Sequence, residues 1–87
     1  MFKKNDFKPS NVRKEVITSF KVGRCRIPEL CKKNGITQAQ LAKKVGIVPQ
    51  SITDYVSLRN LPNVERACNI ASILHCDIKD LYEWDTQ

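Results

Sequence analysis

The chain has 87 residues, 41% hydrophobic and 28% charged, a composition that fits one small domain with a core of its own and excludes a disordered polyelectrolyte. No apolar run approaches the roughly 20 residues a membrane span needs, and no apolar stretch or small-residue cleavage site follows the basic N-terminus, which argues against a secretory signal and for the cytoplasm. The net charge of +6 is uneven: residues 1–59 balance to +9 and residues 60–87 to −3, so positive potential gathers where a polyanion would be met, although a merely solubilising surface has the same composition.

Residues 1–23 read as a nonhelical arm. They contain Pro9, Ser10 and Asn11, and Val16, Thr18, Phe20 and Val22 alternate with Ile17, Ser19 and Lys21, the period of a short strand or extended segment. Residues 24–87 read as a domain of five short helices. The first starts at 27 or 28, where Pro28 is tolerated, and stops before Gly35. The second is announced by Thr37-x-x-Gln40, a capping box, flanked by the staple pair Ile36 and Leu41; Leu41, Ala42 and Val45 form its apolar stripe and Gly46 ends it.

The third helix, over 49–57, begins at Pro49 and turns Ile52, Tyr55 and Val56 inward, leaving Gln50, Ser51, Thr53, Asp54 and Ser57 on other faces. It stops before Asn60-Leu61-Pro62. Asn63 caps a fourth helix with Ala67, Ile70, Ala71 and Leu74 as its core stripe. Asp77 opens a fifth, short helix through Leu81 and Tyr82, after which Trp84 packs back on the core.

Little here suggests metal or catalysis. Cys25, Cys31, Cys68 and Cys76 contain no C-x-x-C pair and His75 is the single histidine, so the thiols read as reduced, small apolar residues, with a Cys25–Cys76 disulfide left open to geometry. His75 has no serine or carboxylate arrangement near it in sequence. Asp77 and Asp80, within the acidic group completed by Glu83 and Asp85, already have helix-start roles. P-loop, G-x-S-x-G and H-E-x-x-H motifs are missing; no enzyme, metal or cofactor is expected.

The informative stretch is 37–52: two short helices sharing a tight glycine turn, with small Ala42 where they approach and Ile52 on the inward side of the second. With Leu61-Pro62-Asn63, Ala67, Ile70-Ala71, Leu74, Ile78 and Leu81, it resembles the Cro/phage-repressor (XRE-type) helix-turn-helix family over about residues 24–81. The resemblance implies an all-α, five-helix, lambda-repressor-like DNA-binding fold. It also implies a transcriptional regulator, a repressor of phage or mobile-element type, binding double-stranded DNA as a homodimer. Family base-reading positions fall on Pro49, Gln50, Ser51 and Asp54, and a phosphate-contacting position that also braces the reading helix falls on Gln38.

Chemistry supports several of these. Gln50 can pair bidentately with adenine, and Ser51 can contact several bases. Gln38 suits a phosphate oxygen. Thr53 shares the outward side of the helix, and Arg59, just past it, is placed to meet the DNA backbone. Lys43 and Lys44 are open to either a duplex-facing or a solvated position.

The chain departs from the family at Val48, where Ser or Thr usually caps the reading helix, at Leu58, where glycine is common, and at Asp54, which either accepts from cytosine N4 or repels phosphate. Asp54 and the apolar arm also fit a second reading, a protein-interaction module that keeps the fold and binds another regulator. The chain is too short for a separate dimerisation domain after the helices. Dimer contacts are expected from Tyr82 and Trp84 or from the arm, whose unpaired strand edge would invite a second copy; alternatively Lys3, Lys4, Lys8, Arg13 and Lys14 form a basic arm that follows DNA.

Overall fold

The computed structural model describes residues 19–86. In chain order the elements are β1 (Phe20–Cys25), α1 (Ile27–Lys33), α2 (Gln38–Val45), α3 (Pro49–Val56), α4 (Val64–Ile73), a 3-10 turn (Ile78–Leu81) and β2 (Tyr82–Thr86). The expected fifth helix is therefore corrected. Ile78–Leu81 makes one 3-10 turn, and Tyr82 begins a strand that pairs antiparallel with β1. The described residues form four α-helices closed by a two-stranded sheet.

Local chemistry places each helix end. α1 carries Glu29 in its first turn and Lys32 and Lys33 in its last, the signs its dipole favours. Beyond it, Asn34 donates its side-chain amide to Leu30 O (2.8 Å) and Leu74 O (3.0 Å), tying the end of α1 to the end of α4. At α2 the capping box is complete: Thr37 Oγ1 accepts from the Gln40 N–H at 3.0 Å, and Gln40 Oε1 accepts from the Thr37 N–H at 2.8 Å. Asn63 Oδ1 caps α4 by accepting from the Arg66 N–H at 2.8 Å.

The largest fully buried side chains are Ile27, Leu41, Ile52, Ile70, Leu74 and Leu81, so every helix and the 3-10 turn contribute to one core. Each such side chain stabilises the fold by about 1.5–3 kcal/mol relative to its exposed state. No polar or charged residue is buried among the described ones.

The sheet joins the two ends of the described chain. Phe20 lies opposite Thr86, Lys21 opposite Asp85 and Val22 opposite Trp84, but Cys25 lies opposite Tyr82. Gly23 and Arg24 thus face Glu83 alone, a bulge that reverses the alternation and turns Cys25 into the core. Glycine fits closely there: a Cβ on Gly23 would stand 3.0 Å from Glu83 O, so the facing backbone would have to give by a few tenths of an ångström.

Arg24 bridges Glu83 (2.7 Å) and Glu29 (3.0 Å), linking the hairpin to α1; its guanidinium, with that of Arg26, holds the Glu29 carboxyl below its ordinary value. Burial pushes the Tyr82 hydroxyl well above the ordinary tyrosine value, and that hydroxyl donates to Tyr55 O on α3 over a long 3.4 Å. Trp84 packs back only in part. It stays 38% exposed, with its indole N–H donated to Lys79 O at 2.8 Å.

Strand signal was expected over 16–22, and β1 begins at Phe20. Residues 16–18 and the rest of the basic arm lie outside the described residues. β1 also takes Phe20 and its neighbours up to Gly23, assigned to the arm by sequence, into the folded unit.

Candidate nucleic-acid interface

α2 and α3 form the two-helix unit that the sequence announces. Gly46 stands at φ +85, the left-handed conformation that lets the chain reverse within one residue. Both its N–H and that of Ile47 reach Ala42 O at 2.9 Å, closing the end of α2. Ala42 is fully buried, so α3 can approach α2 closely. Ile52 and Tyr55 anchor α3 in the core at 1% and 5% exposure, which fixes the opposite side of the helix towards solvent. Pro49, Gln50 and Thr53 are exposed, and Ser51 is half-buried.

The ends of α3 are unusual. Val48 has the extended conformation of an N-cap (φ −76, ψ 148) but no side-chain bond to the helix. The Ser51 N–H reaches Val48 O at 3.0 Å instead. At the other end Leu58 takes φ +65, a left-handed conformation where a Cβ is costly.

Asp54 organises the segment after the helix. Its Oδ1 accepts from Gln50 Nε2 at 3.0 Å and from Arg59 Nη1 at 3.3 Å, and its Oδ2 accepts from Asn60 Nδ2 at 3.4 Å. Its backbone carbonyl accepts from the Arg59 N–H at 2.9 Å, the Asn60 N–H at 3.3 Å and the Ser57 hydroxyl at 3.2 Å. The Asp54 side chain is 18% exposed against 68% for Arg59. The carboxylate is thus covered by donors and paired with a cation.

Sequence reasoning weighed Asp54 as a base acceptor or a repelling charge and missed this arrangement, along with Ser57 and Asn60. The readable signal was the spacing of Gln50 and Asp54 at i and i+4, where side chains on one helix face meet.

The other candidate residues lie on α2 and α3. Gln38 is the first residue of α2 and half-buried. Thr53 is exposed and donates its hydroxyl back to Pro49 O at 3.4 Å. Lys43 and Lys44 are exposed in the last turn of α2 and line a shallow concavity with Gly35, Ile36 and Gln40. Lys44 also borders Asn34, Ile73 and His75, at the end of α4. The structure thus joins Gln50, Asp54 and Arg59 by hydrogen bonds and places Lys44 beside the end of α4.

The cysteines are all free thiols. Cys25 and Cys31 are buried, which pushes both thiols up, whereas Cys68 is exposed, contrary to the packed role expected for all four. His75 is exposed at φ +57 in the turn after α4.

A second surface is apolar. Phe20, Leu58, Leu61, Val64, Ile78 and Trp84 are exposed large hydrophobics, between 38% and 77%. They are joined through shallow grooves that run from the α3–α4 loop across the hairpin.

The helix-turn-helix family model matches residues 28–81. An uncharacterized transcriptional regulator of this type, YopS, derived from the SPbeta prophage of Bacillus subtilis, is 39% identical over 67 residues, covering 76% of this chain and 90% of the relative. An uncharacterized regulator of the same type from Archaeoglobus fulgidus is 36% identical over 64 residues, covering 74% and 91%. Among solved structures, the P22 c2 repressor in complex with a synthetic operator superposes with a TM-score of 0.60 at 32% identity, over 64% of this chain and 85% of that one. A transcriptional regulator from Listeria innocua shares the fold, with a TM-score of 0.54 at 20% identity. The chain belongs to the helix-turn-helix family, in the Cro/phage-repressor group whose turn and core stripe it carries.

Proposed function

We propose that this protein is a sequence-specific DNA-binding transcriptional regulator, a repressor of phage or mobile-element type, acting in the cytoplasm on double-stranded DNA. The observation that carries the reading is α3 itself: anchored by Ile52 and Tyr55, it turns Pro49 and the polar side chains of Gln50 and Thr53 to solvent. A helix held this way with polar side chains outward is what a major groove admits. The likeness to a repressor bound to its operator supports the same reading. Gln50 and Ser51 read bases, Gln38 meets phosphate, and Arg59, Lys43 and Lys44 supply positive field.

α3 has 8 residues, a length of about 12 Å, so one copy reads only a few base pairs. Two copies on adjacent half-sites lengthen the recognised sequence, and the proposed assembly is a homodimer. Its proposed interface is the apolar face of Phe20, Leu58, Leu61, Val64 and Trp84; of the two residues weighed from sequence, Trp84 lies on this face while Tyr82 is buried in the core, and β1 takes the place of the arm. That same face is what favours the second reading, docking of another regulator.

Fluorescence anisotropy with random duplex at two salt concentrations, followed by selection from a random duplex pool, tests the proposal. Binding that weakens steeply with salt, and enrichment of a defined site, are expected. No binding at low salt overturns it and leaves the protein-docking reading. Sedimentation of the free chain reports the dimer.

A further inference from the structure

Gln50 Nε2 lies 3.0 Å from Asp54 Oδ1, and Asp54 is itself held by Arg59 at 3.3 Å and Asn60 at 3.4 Å. We infer that Asp54 is a positioning residue that locks the Gln50 amide and thereby makes Gln50 select adenine over guanine. The inference rests on the DNA-binding reading above and assigns that site its base.

The argument is one of donors and acceptors. An ionised carboxylate only accepts hydrogen bonds. Of the two flips of the Gln50 amide, one points its nitrogen at Asp54 and the other its oxygen; the second sets two acceptors against each other. Asp54 therefore enforces the first. With one N–H committed to the carboxylate, Gln50 has one N–H and one free carbonyl oxygen left for a base. The major-groove edge of adenine offers one acceptor, N7, and one donor, N6–H, and matches this pair. Guanine offers two acceptors, N7 and O6, and leaves the Gln50 oxygen without a partner. Pairing to Arg59 and 18% exposure keep the carboxylate in place rather than swinging to solvent.

The test uses the duplex that the wild-type chain enriches from a random pool. Gln50→Ala identifies the base pair that Gln50 reads, as the position whose preference it loses. At that position the wild type is expected to favour adenine over guanine by about tenfold or more. Asp54→Asn, whose amide can donate as well as accept, frees both flips and should lower that ratio several-fold. The preferences at the other positions of the site should stay as in the wild type, whereas a purely structural role for Asp54 would degrade those as well.

An independent readout needs no variant of Asp54. In the free wild-type protein, the Gln50 side-chain NH2 resonances, identified by their loss in Gln50→Ala, should move as acid protonates carboxylates. Amide resonances that stay fixed through that range overturn the inference. A wild-type preference for guanine, or an Asp54→Asn variant that binds all duplexes equally more tightly with the adenine-to-guanine ratio unchanged, does so too; the latter makes Asp54 a repelling charge only. Failure of the wild type to enrich any duplex instead removes the DNA-binding reading on which the inference rests.

Discussion

Val48→Thr should stabilise the protein. α3 starts without a side-chain cap, although Val48 already has the backbone of one, at φ −76 and ψ 148. Threonine has nearly the shape of valine and places a hydroxyl where it can accept from the free N–H groups of the first turn. A Ser or Thr cap is worth about 1 kcal/mol, within a range of roughly 0.5–2. Little opposes the gain: Val48 is 63% exposed, so losing its methyl removes almost no buried apolar area. In a domain of this size about 1 kcal/mol raises the Tm by roughly 4–8 °C.

The assay is thermal unfolding followed by circular dichroism, with wild type and variant at one concentration because association would also raise the Tm. Val48→Ala, which adds no cap, is the control and should stay close to wild type. A Val48→Thr protein no more stable than the control would show that the Ser51 N–H bond to Val48 O already satisfies this end of the helix.

The same geometry sets three further outcomes. Gly46→Ala should cost about 1–2 kcal/mol, because alanine resists the left-handed conformation; its Cβ would have nothing within 4 Å to clash with, so a much larger loss in thermal unfolding would contradict a purely conformational cost. Ile52→Ala should cost about 2–5 kcal/mol and, against a typical total of about 5–15 kcal/mol, weaken DNA binding through loss of fold; normal stability with lost binding would mean that Ile52 is not a core anchor. Tyr82 binds its proton more tightly folded than unfolded, so its contribution is intact below the ordinary value of 10.0 and is lost as pH rises above it; Tyr82→Phe should flatten the alkaline fall in denaturation midpoint, and an unchanged fall would place its origin elsewhere.

Helix boundaries were legible wherever a short-range device sets them. The capping box at Thr37 and Gln40, the turn at Gly46 and the cap at Asn63 all involve residues within a few positions of one another, and each forms as the sequence indicates. The last element was misread because its partner is distant. Tyr82, Trp84 and Thr86 alternate with Glu83 and Asp85, a strand period with strand-forming residues, yet a strand of 5 residues gains nothing until β1 lies beside it. The bulge at Gly23 and Arg24 likewise exists only in the pair. At the candidate site, sequence placed Gln50 and Asp54 on one helix, α3, but the role of Asp54 depends on Arg59 and Asn60 folding back over it. That fold-back requires Leu58 at φ +65, a conformation a leucine gives no reason to expect.

Val48 and Leu58 are departures at opposite ends of one helix, and the structure meets them in the same way. Neither end carries the residue that would usually secure it. α3 is secured from within by Ile52 and Tyr55, and past its end by Asp54, whose carbonyl accepts from the Arg59 and Asn60 N–H groups. These bonds offset the left-handed Leu58, which would otherwise cost about 1–2 kcal/mol. The same residue therefore terminates the helix through its backbone and orients Gln50 through its side chain. This coupling fits a carboxylate on a helix proposed to face a polyanion: its charge is met by Arg59, and its oxygens accept from Gln50, Arg59 and Asn60. Leucine at 58 then serves a second end. Its side chain is 42% exposed and extends the apolar face towards Leu61 and Phe20, so the turn that shapes the reading surface also supplies part of the proposed dimer contact.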